Sequence, residues 1–120
     1  MPPLTEQDVE RCSRFRPRLL EELNELDTLL QENASATAPV QLDQQSVGRL
    51  ARMDAMQVQA MAKEGERRRK VRQQKILRTL ARMDEGEFGY CTDCGEEISE
   101  GRLNVDPTFH LCVACAGKAH

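Results

Sequence analysis

The sequence predicts a mostly α chain: an antiparallel two-helix coiled-coil hairpin, followed by a small C-terminal unit stapled by four cysteines and closed by a short helix. Three observations carry this. Apolar residues recur in steps of three and four over two long stretches. A small, polar segment ending in proline separates them. Beyond residue 85 come two C-x2-C pairs, Cys91 with Cys94 and Cys112 with Cys115. The expected division is 1–84 for the hairpin, with its tip at about 34–46, and 85–120 for the cysteine unit.

The first helix is expected from about Thr5 to Asn33. Thr5 suits an N-cap and Asp8 the N3 position of a capping box, with Leu4 and Val9 as a hydrophobic staple. Val9, Cys12, Phe15, Leu19, Leu23, Leu26 and Leu30 form one stripe that reads as packing against a partner helix. Pro17 removes a backbone donor and predicts a kink or a fresh start. Cys12 reads as a small buried apolar residue.

After the connecting segment from Asn33 to Val40, a second helix is expected from near Asp43 or Ser46 to Met83 or Asp84. Its stripe runs through Val47, Leu50, Met53 (or Asp54 and Ala55 beside it), Val58, Met61, Val71, Ile76, Leu80 and Met83. Gly65 weakens its middle and marks a candidate bend. Basic residues gather on its second half, from Lys63 through Arg67, Arg68, Arg69 and Lys75 to Arg82. Fold-back would bring them near Glu6, Asp8 and Glu10. The plain reading is a solvated face with weak ion pairs, and it is favoured over an electrostatic surface for an acidic partner or nucleic acid.

The cysteine unit carries the clearest chemistry. Two close thiol pairs separated by 17 residues suit a tetrahedral ion, because each turn presents two sulfurs and the gap lets the turns face each other. Gly95 and Gly117 stand where knuckles want backbone freedom. A disulfide framework would need an oxidising compartment, and Met1-Pro2-Pro3-Leu4 leads straight into charged sequence without a secretory pattern. One thioredoxin-like pair would need a βαβ context. Four thiolates leave an iron–sulfur cluster open, but the paired spacing favours one structural zinc. Phe88, Tyr90 and Phe109 are expected to cover the metal, which has to replace most of a core in so small a unit. His110-Leu111-Cys112-Val113-Ala114-Cys115-Ala116 begins the terminal helix.

Composition narrows the function classes. The 120 residues are 31% charged and 3% aromatic, with no Trp, which suits long exposed helices better than a deep core. No apolar run is long enough to cross a membrane, and a cytoplasmic protein is expected. The net charge of −3 disfavours nucleic-acid binding by the whole chain. Within the finger, Asp93, Glu96, Glu97, Glu100 and Asp106 outnumber Arg102 and would repel phosphate. No triad or phosphate loop is visible, so an enzyme is not expected.

The stretch Gly86-Glu87-Phe88-Gly89-Tyr90-Cys91-Thr92-Asp93-Cys94-Gly95-Glu96-Glu97-Ile98, then Arg102-Leu103, Pro107-Thr108 and Leu111-Cys112-Val113-Ala114-Cys115, resembles the C4 zinc finger of the DksA/TraR family. The hairpin ahead of it is similar in architecture to that family's coiled coil. The resemblance implies a bacterial transcription regulator that binds RNA polymerase, enters its secondary channel with the coiled-coil tip, and modulates initiation as a monomer without sequence-specific DNA contacts. It also implies acidic tip residues. The family's D-x-x-D-x-A motif is only partly met by Asp43-Gln44-Gln45-Ser46, which leaves Asp43 and Asp54 as the tip acids. Arg67, Arg68 and Arg69 become candidate docking residues. Lys75 matches a basic position linked to the alarmone ppGpp, but Asp106 and Ala116 stand where further basic residues would help, which weakens the case for alarmone binding. The alternative reading is direct nucleic-acid binding through the basic half of helix two; a zinc enzyme or redox sensor would need an open or labile site.

Overall fold

The computed structural model describes residues 5–34 and 49–118. Four helices follow in order: α1 (Glu6–Glu32), α2 (Arg49–Asp84), α3 (Glu100–Val105) and α4 (Val113–Lys118). The chain is mostly helical, and among the described residues the single β feature is an isolated antiparallel bridge between Tyr90 and Glu97.

Helix α1 opens with the expected reciprocal box. The Thr5 backbone N–H donates to Asp8 Oδ2 at 3.2 Å and the Asp8 N–H donates to Thr5 Oγ1 at 3.1 Å. Leu4 of the expected staple lies outside the described residues. The helix runs unbroken through Pro17, so the expected fresh start does not occur. Both Pro17 and Ser13, whose carbonyl loses its donor, are exposed, and water can serve that carbonyl.

The chain divides into two compact units, residues 1–23 with 74–120, and residues 24–73. Grouping the start of α1 with the end of α2, and the end of α1 with the start of α2, is the pairing of an antiparallel hairpin. In the first unit Phe15, Leu19, Ile76 and Met83 from the helices are buried together with Phe88, Ile98 and Leu103 from the finger. Each such side chain contributes about 1.5–3 kcal/mol of transfer free energy.

In the second unit the register of α2 departs from expectation. Its half-buried residues include Arg52, Ala55, Gln59, Ala62, Glu66, Arg69 and Gln73, in alternating steps of three and four that lead on to Ile76, Leu80 and Met83, with Gly65 and Arg72 beside this row. Met53, Val58, Met61 and Val71, expected inside, are exposed at 50%, 66%, 75% and 44%. Ile76 and Met83 fix the inward face at the finger end. Carried back by heptad steps, that face falls on small and polar residues. Gly65 lies on the same continuous helix.

Helix α2 ends in a Schellman pair: the Gly86 N–H donates to the Met83 carbonyl at 3.2 Å and the Glu87 N–H to the Arg82 carbonyl at 2.9 Å. Ser99 caps α3 by accepting from the Arg102 N–H. No described helix is long and apolar enough to cross a membrane.

Candidate metal centre

The first knuckle grows out of a short antiparallel stub. The Ile98 N–H donates to the Gly89 carbonyl at 2.8 Å, the Cys91 N–H to the Glu96 carbonyl at 2.7 Å, and the Gly95 N–H back to the Cys91 carbonyl at 3.0 Å. Gly95 carries φ +80, a left-handed turn that glycine adopts without strain. Gly117 lies within α4 and makes no such turn.

The second knuckle is held to the first by the backbone. The Thr92 N–H donates to the His110 carbonyl at 2.8 Å, and Thr92 Oγ1 lies 3.1 Å from His110 Nδ1. Arg102 of α3 donates through Nε to the Leu111 carbonyl at 2.9 Å and stacks on Phe109, 4.3 Å from its centroid. An Asx turn at Asp106, with the Thr108 N–H on Oδ1 at 3.0 Å, sets the chain direction between α3 and Phe109.

These ties bring the Sγ atoms of Cys91, Cys94, Cys112 and Cys115 within 4.8 Å of one another. Cys94 and Cys112 Sγ are 3.7 Å apart, against the edge of about 3.8 Å of a tetrahedron with Zn–S bonds of about 2.3 Å. The backbone N–H of Asp93 points at Cys91 Sγ at 3.4 Å and that of Cys115 at Cys112 Sγ at 3.5 Å, the outer-shell donors a thiolate cluster needs. The N–H of Cys94, aided by those of Cys112 and Asp93 and opposed by burial, draws the Cys91 thiol down to about 6. Cys115 is pushed up, chiefly by its contacts with the Cys112 and Cys94 sulfurs. A tetrathiolate shell with no His or carboxylate in the cluster fits one structural zinc; bound, the ion would supply cross-linking of the two knuckles and deprotonation of all four thiols.

Two of the three rings expected over the metal face elsewhere. Phe88 packs edge-on against Phe15 of α1, centroids 5.8 Å apart, and the Tyr90 hydroxyl donates to Asp8 Oδ1 at 2.8 Å. Both therefore join the finger to the helices. Around them sits a cluster with no counterpart in the sequence reading. Arg11, 7% exposed, lies 3.5 Å from Asp8 and 3.2 Å from Glu97, with its guanidinium 5.4 Å from the Tyr90 ring centroid. Burial alone would raise the Asp8 carboxyl, but hydrogen bonds from Tyr90 and Thr5 outweigh it and hold its pKa below the usual range. The available signal was spacing, since Asp8 and Arg11 share the face of Phe15 and Leu19. Val9, expected there, is 51% exposed.

The remaining named residues fall apart in space. Asp43 and all but Ala34 of the expected tip segment lie outside the described residues, and Asp54 is exposed on α2. Arg67 and Arg68, both exposed, pair with Glu64 at 2.9 Å and 3.1 Å, and hydrogen bonds from both draw that carboxyl down to about 2. Lys70 pairs with Glu66 at 2.6 Å. The acids at the start of α1 take that helix's own arginines, Glu10 with Arg14 and Asp8 with Arg11. Lys75 lines a hollow of about 410 Å³ with Arg78, Arg82 and Arg102, and Asp106 and Ala116 line the same hollow. Cys12 is half-buried beside Met83, and burial raises its thiol pKa.

Comparison with known proteins agrees with this geometry. Residues 86–119 match the family model described as the prokaryotic dksA/traR C4-type zinc finger. The RNA polymerase-binding transcription factor DksA of Haemophilus influenzae is 51% identical over 41 residues, 34% of this chain and 28% of that protein. Its Escherichia coli K12 counterpart is 46% identical over 41 residues, 34% of this chain and 27% of that one. The match thus spans little more than a quarter of those relatives. The structure of transcription factor DksA2 from Pseudomonas aeruginosa superposes with a TM-score of 0.76 at 23% identity, covering 98% of this chain and 89% of that one, which shows a shared fold. The chain is thus similar to DksA in its fold, and its residues 86–119 match the zinc finger of the dksA/traR C4 type.

Proposed function

We propose that this protein is a bacterial transcription regulator that binds RNA polymerase, enters its secondary channel with the loop end of its hairpin and modulates initiation. The observation that carries the reading is the finger, matched at 46–51% identity to proteins named for RNA polymerase binding. The DksA2-like fold over nearly the whole chain supports it. So does the surface of α2, where Met53, Met56, Val58 and Met61 are exposed beside charged residues, a composition suited to a protein partner. The division of labour follows the predicted domains: 85–120 holds the finger, 1–84 reaches the polymerase, and Asp43 and Asp54 act at the tip.

Pull-down of core RNA polymerase, with crosslinking from a probe at residue 43, tests this directly. Capture with crosslinks to the polymerase active-centre region supports it, and a chain that captures no polymerase sinks it. Arg67, Arg68 and Arg69 are the proposed docking cations. Their joint neutralisation should weaken association and flatten its salt dependence. The proposed site for ppGpp is the Lys75 hollow, which Lys75, Arg78, Arg82 and Arg102 line with one carboxylate, Asp106. A titration with the polymerase complex, repeated with Lys75→Ala, decides it: saturable binding lost in the variant supports the site, and no saturable binding removes it.

A further inference from the structure

We propose that Arg11 of α1 and Arg82 of α2 form a two-sided clamp on the segment Glu87–Tyr90 and so act as positioning residues for the metal ligand Cys91. Three successive hydrogen bonds define the clamp. Arg82 Nη2 donates to the Glu87 carbonyl at 3.3 Å and to the Tyr90 carbonyl at 2.7 Å, and Arg11 Nη1 donates to the Phe88 carbonyl at 3.5 Å. The Tyr90 carbonyl belongs to the peptide whose nitrogen is that of Cys91, and that N–H donates to the Glu96 carbonyl at 2.7 Å. Both ends of this one peptide are therefore pinned, its oxygen by Arg82 and its nitrogen by the knuckle. The plane it fixes sets the direction in which the Cys91 side chain leaves the backbone.

The approach is close enough to restrict the sequence. A Cβ on Gly89 would stand 2.4 Å from Arg11 Nη1 and 2.6 Å from its Cδ. Arg82 Nε is buried without an acceptor among the described residues, a cost expected where a charged group is held for a purpose other than its own solvation. Arg82, bonded to the carbonyl that precedes Cys91, also places a cation beside a shell that carries a net negative charge once four thiolates hold zinc. The other arginines of α1 bond elsewhere: Arg14 reaches the exposed Glu100 carboxylate, Arg18 donates to the Asn104 and Val105 carbonyls at the end of α3, and Arg16 pairs with Asp84 at the end of α2, so none of these bonds falls on residues 87–91. Because coupling free energies are reciprocal, the helices hold the metal more firmly through the clamp, and the metal in turn orders the seat of both helices.

Zinc transfer from the full-length loaded protein to 4-(2-pyridylazo)resorcinol measures the effect. Arg11→Ala and Arg82→Ala should each release zinc roughly 10–100-fold faster, the range known for outer-shell partners of metal ligands. Arg14→Ala and Arg16→Ala should release it at the parent rate. Parent-like release from both clamp variants overturns the proposal, and so does equal acceleration in the two controls. Should the alanine variants fail to fold, Arg11→Lys and Arg82→Lys retain the charge but not the fork geometry. They should give rates between parent and alanine, and parent-like rates count against the clamp. Tyr90 offers an independent reading, since the chain has one Tyr and no Trp. Its emission, quenched by the Asp8 carboxylate, should rise when zinc is chelated from the parent protein; unchanged emission overturns the coupling.

Discussion

Gly89 and Gly95 both carry positive φ, +91 and +80, yet only Gly89 has neighbours against the position of a Cβ. Gly95→Ala should therefore cost backbone strain alone, about 1–2 kcal/mol. Gly89→Ala adds the displacement of Arg11 and should cost about 3 kcal/mol or more. Urea unfolding of the zinc-loaded variants checks the order, and equal costs would refute the close packing. Asp8 gives a second residue-level test. A carboxyl held below its usual pKa stabilises the fold above about pH 4 and loses that contribution as the pH falls through its folded value. Tyr90→Phe removes the largest of the hydrogen bonds opposing burial, so the Asp8 pKa should rise and acid destabilisation begin at higher pH. Carbon-detected NMR titration of the Asp8 carboxyl reads this. Neither effect was legible in the sequence, because Gly89, Arg11, Asp8 and Tyr90 meet only when α1 folds over the finger. The grouping of the four cysteines was legible because each pair sits on one turn and needs no knowledge of the rest.

At the level of elements, what could be read was local and what could not was register. The Thr5–Asp8 box, the approximate ends of α1 and the C-terminal end of α2 depend on neighbours three or four residues apart. The buried face of α2 depends on where its end is seated. Its sequence offers two overlapping stripes, one rich in Met and Val and the other in Ala, Gln and charged residues. Apolar periodicity picks the first, whereas Ile76 and Met83, packed at the finger end, impose the second. Substitution distinguishes them. Met56→Gln and Met61→Gln should shift stability by no more than about 0.5 kcal/mol. Ile76→Ala, at a fully buried site on the same helix, should cost about 2–5 kcal/mol. Thermal unfolding of the three variants decides, and a Met61→Gln cost approaching that of Ile76→Ala would restore the apolar stripe.

For the whole molecule, the distribution of burial sets the distribution of stability. Every buried hydrophobic residue among those described lies in the unit formed by 1–23 and 74–120, and none lies in 24–73. Local opening free energy follows buried contact, so α2 should not exchange its amides uniformly although it is one continuous helix. Amides from about 53 to 70 should exchange orders of magnitude faster than those from 76 to 83. Zinc enters because the protected end of α2 packs in a core half supplied by the finger: Phe88 precedes Cys91 by three residues, and Ile98 and Leu103 lie between the knuckles. Such a unit cannot keep its fold on so few apolar residues without the cross-link. Chelation, or Cys91→Ser, should abolish stoichiometric zinc and bring the 76–83 amides close to the rates of 53–70. The 53–70 amides should change little, having no finger residue to lose within their own unit. Hydrogen-exchange mass spectrometry on loaded and chelated protein makes the comparison in one experiment. Undiminished protection at 76–83 after metal removal would mean that the helices hold their core unaided and that the zinc stabilises the knuckles alone.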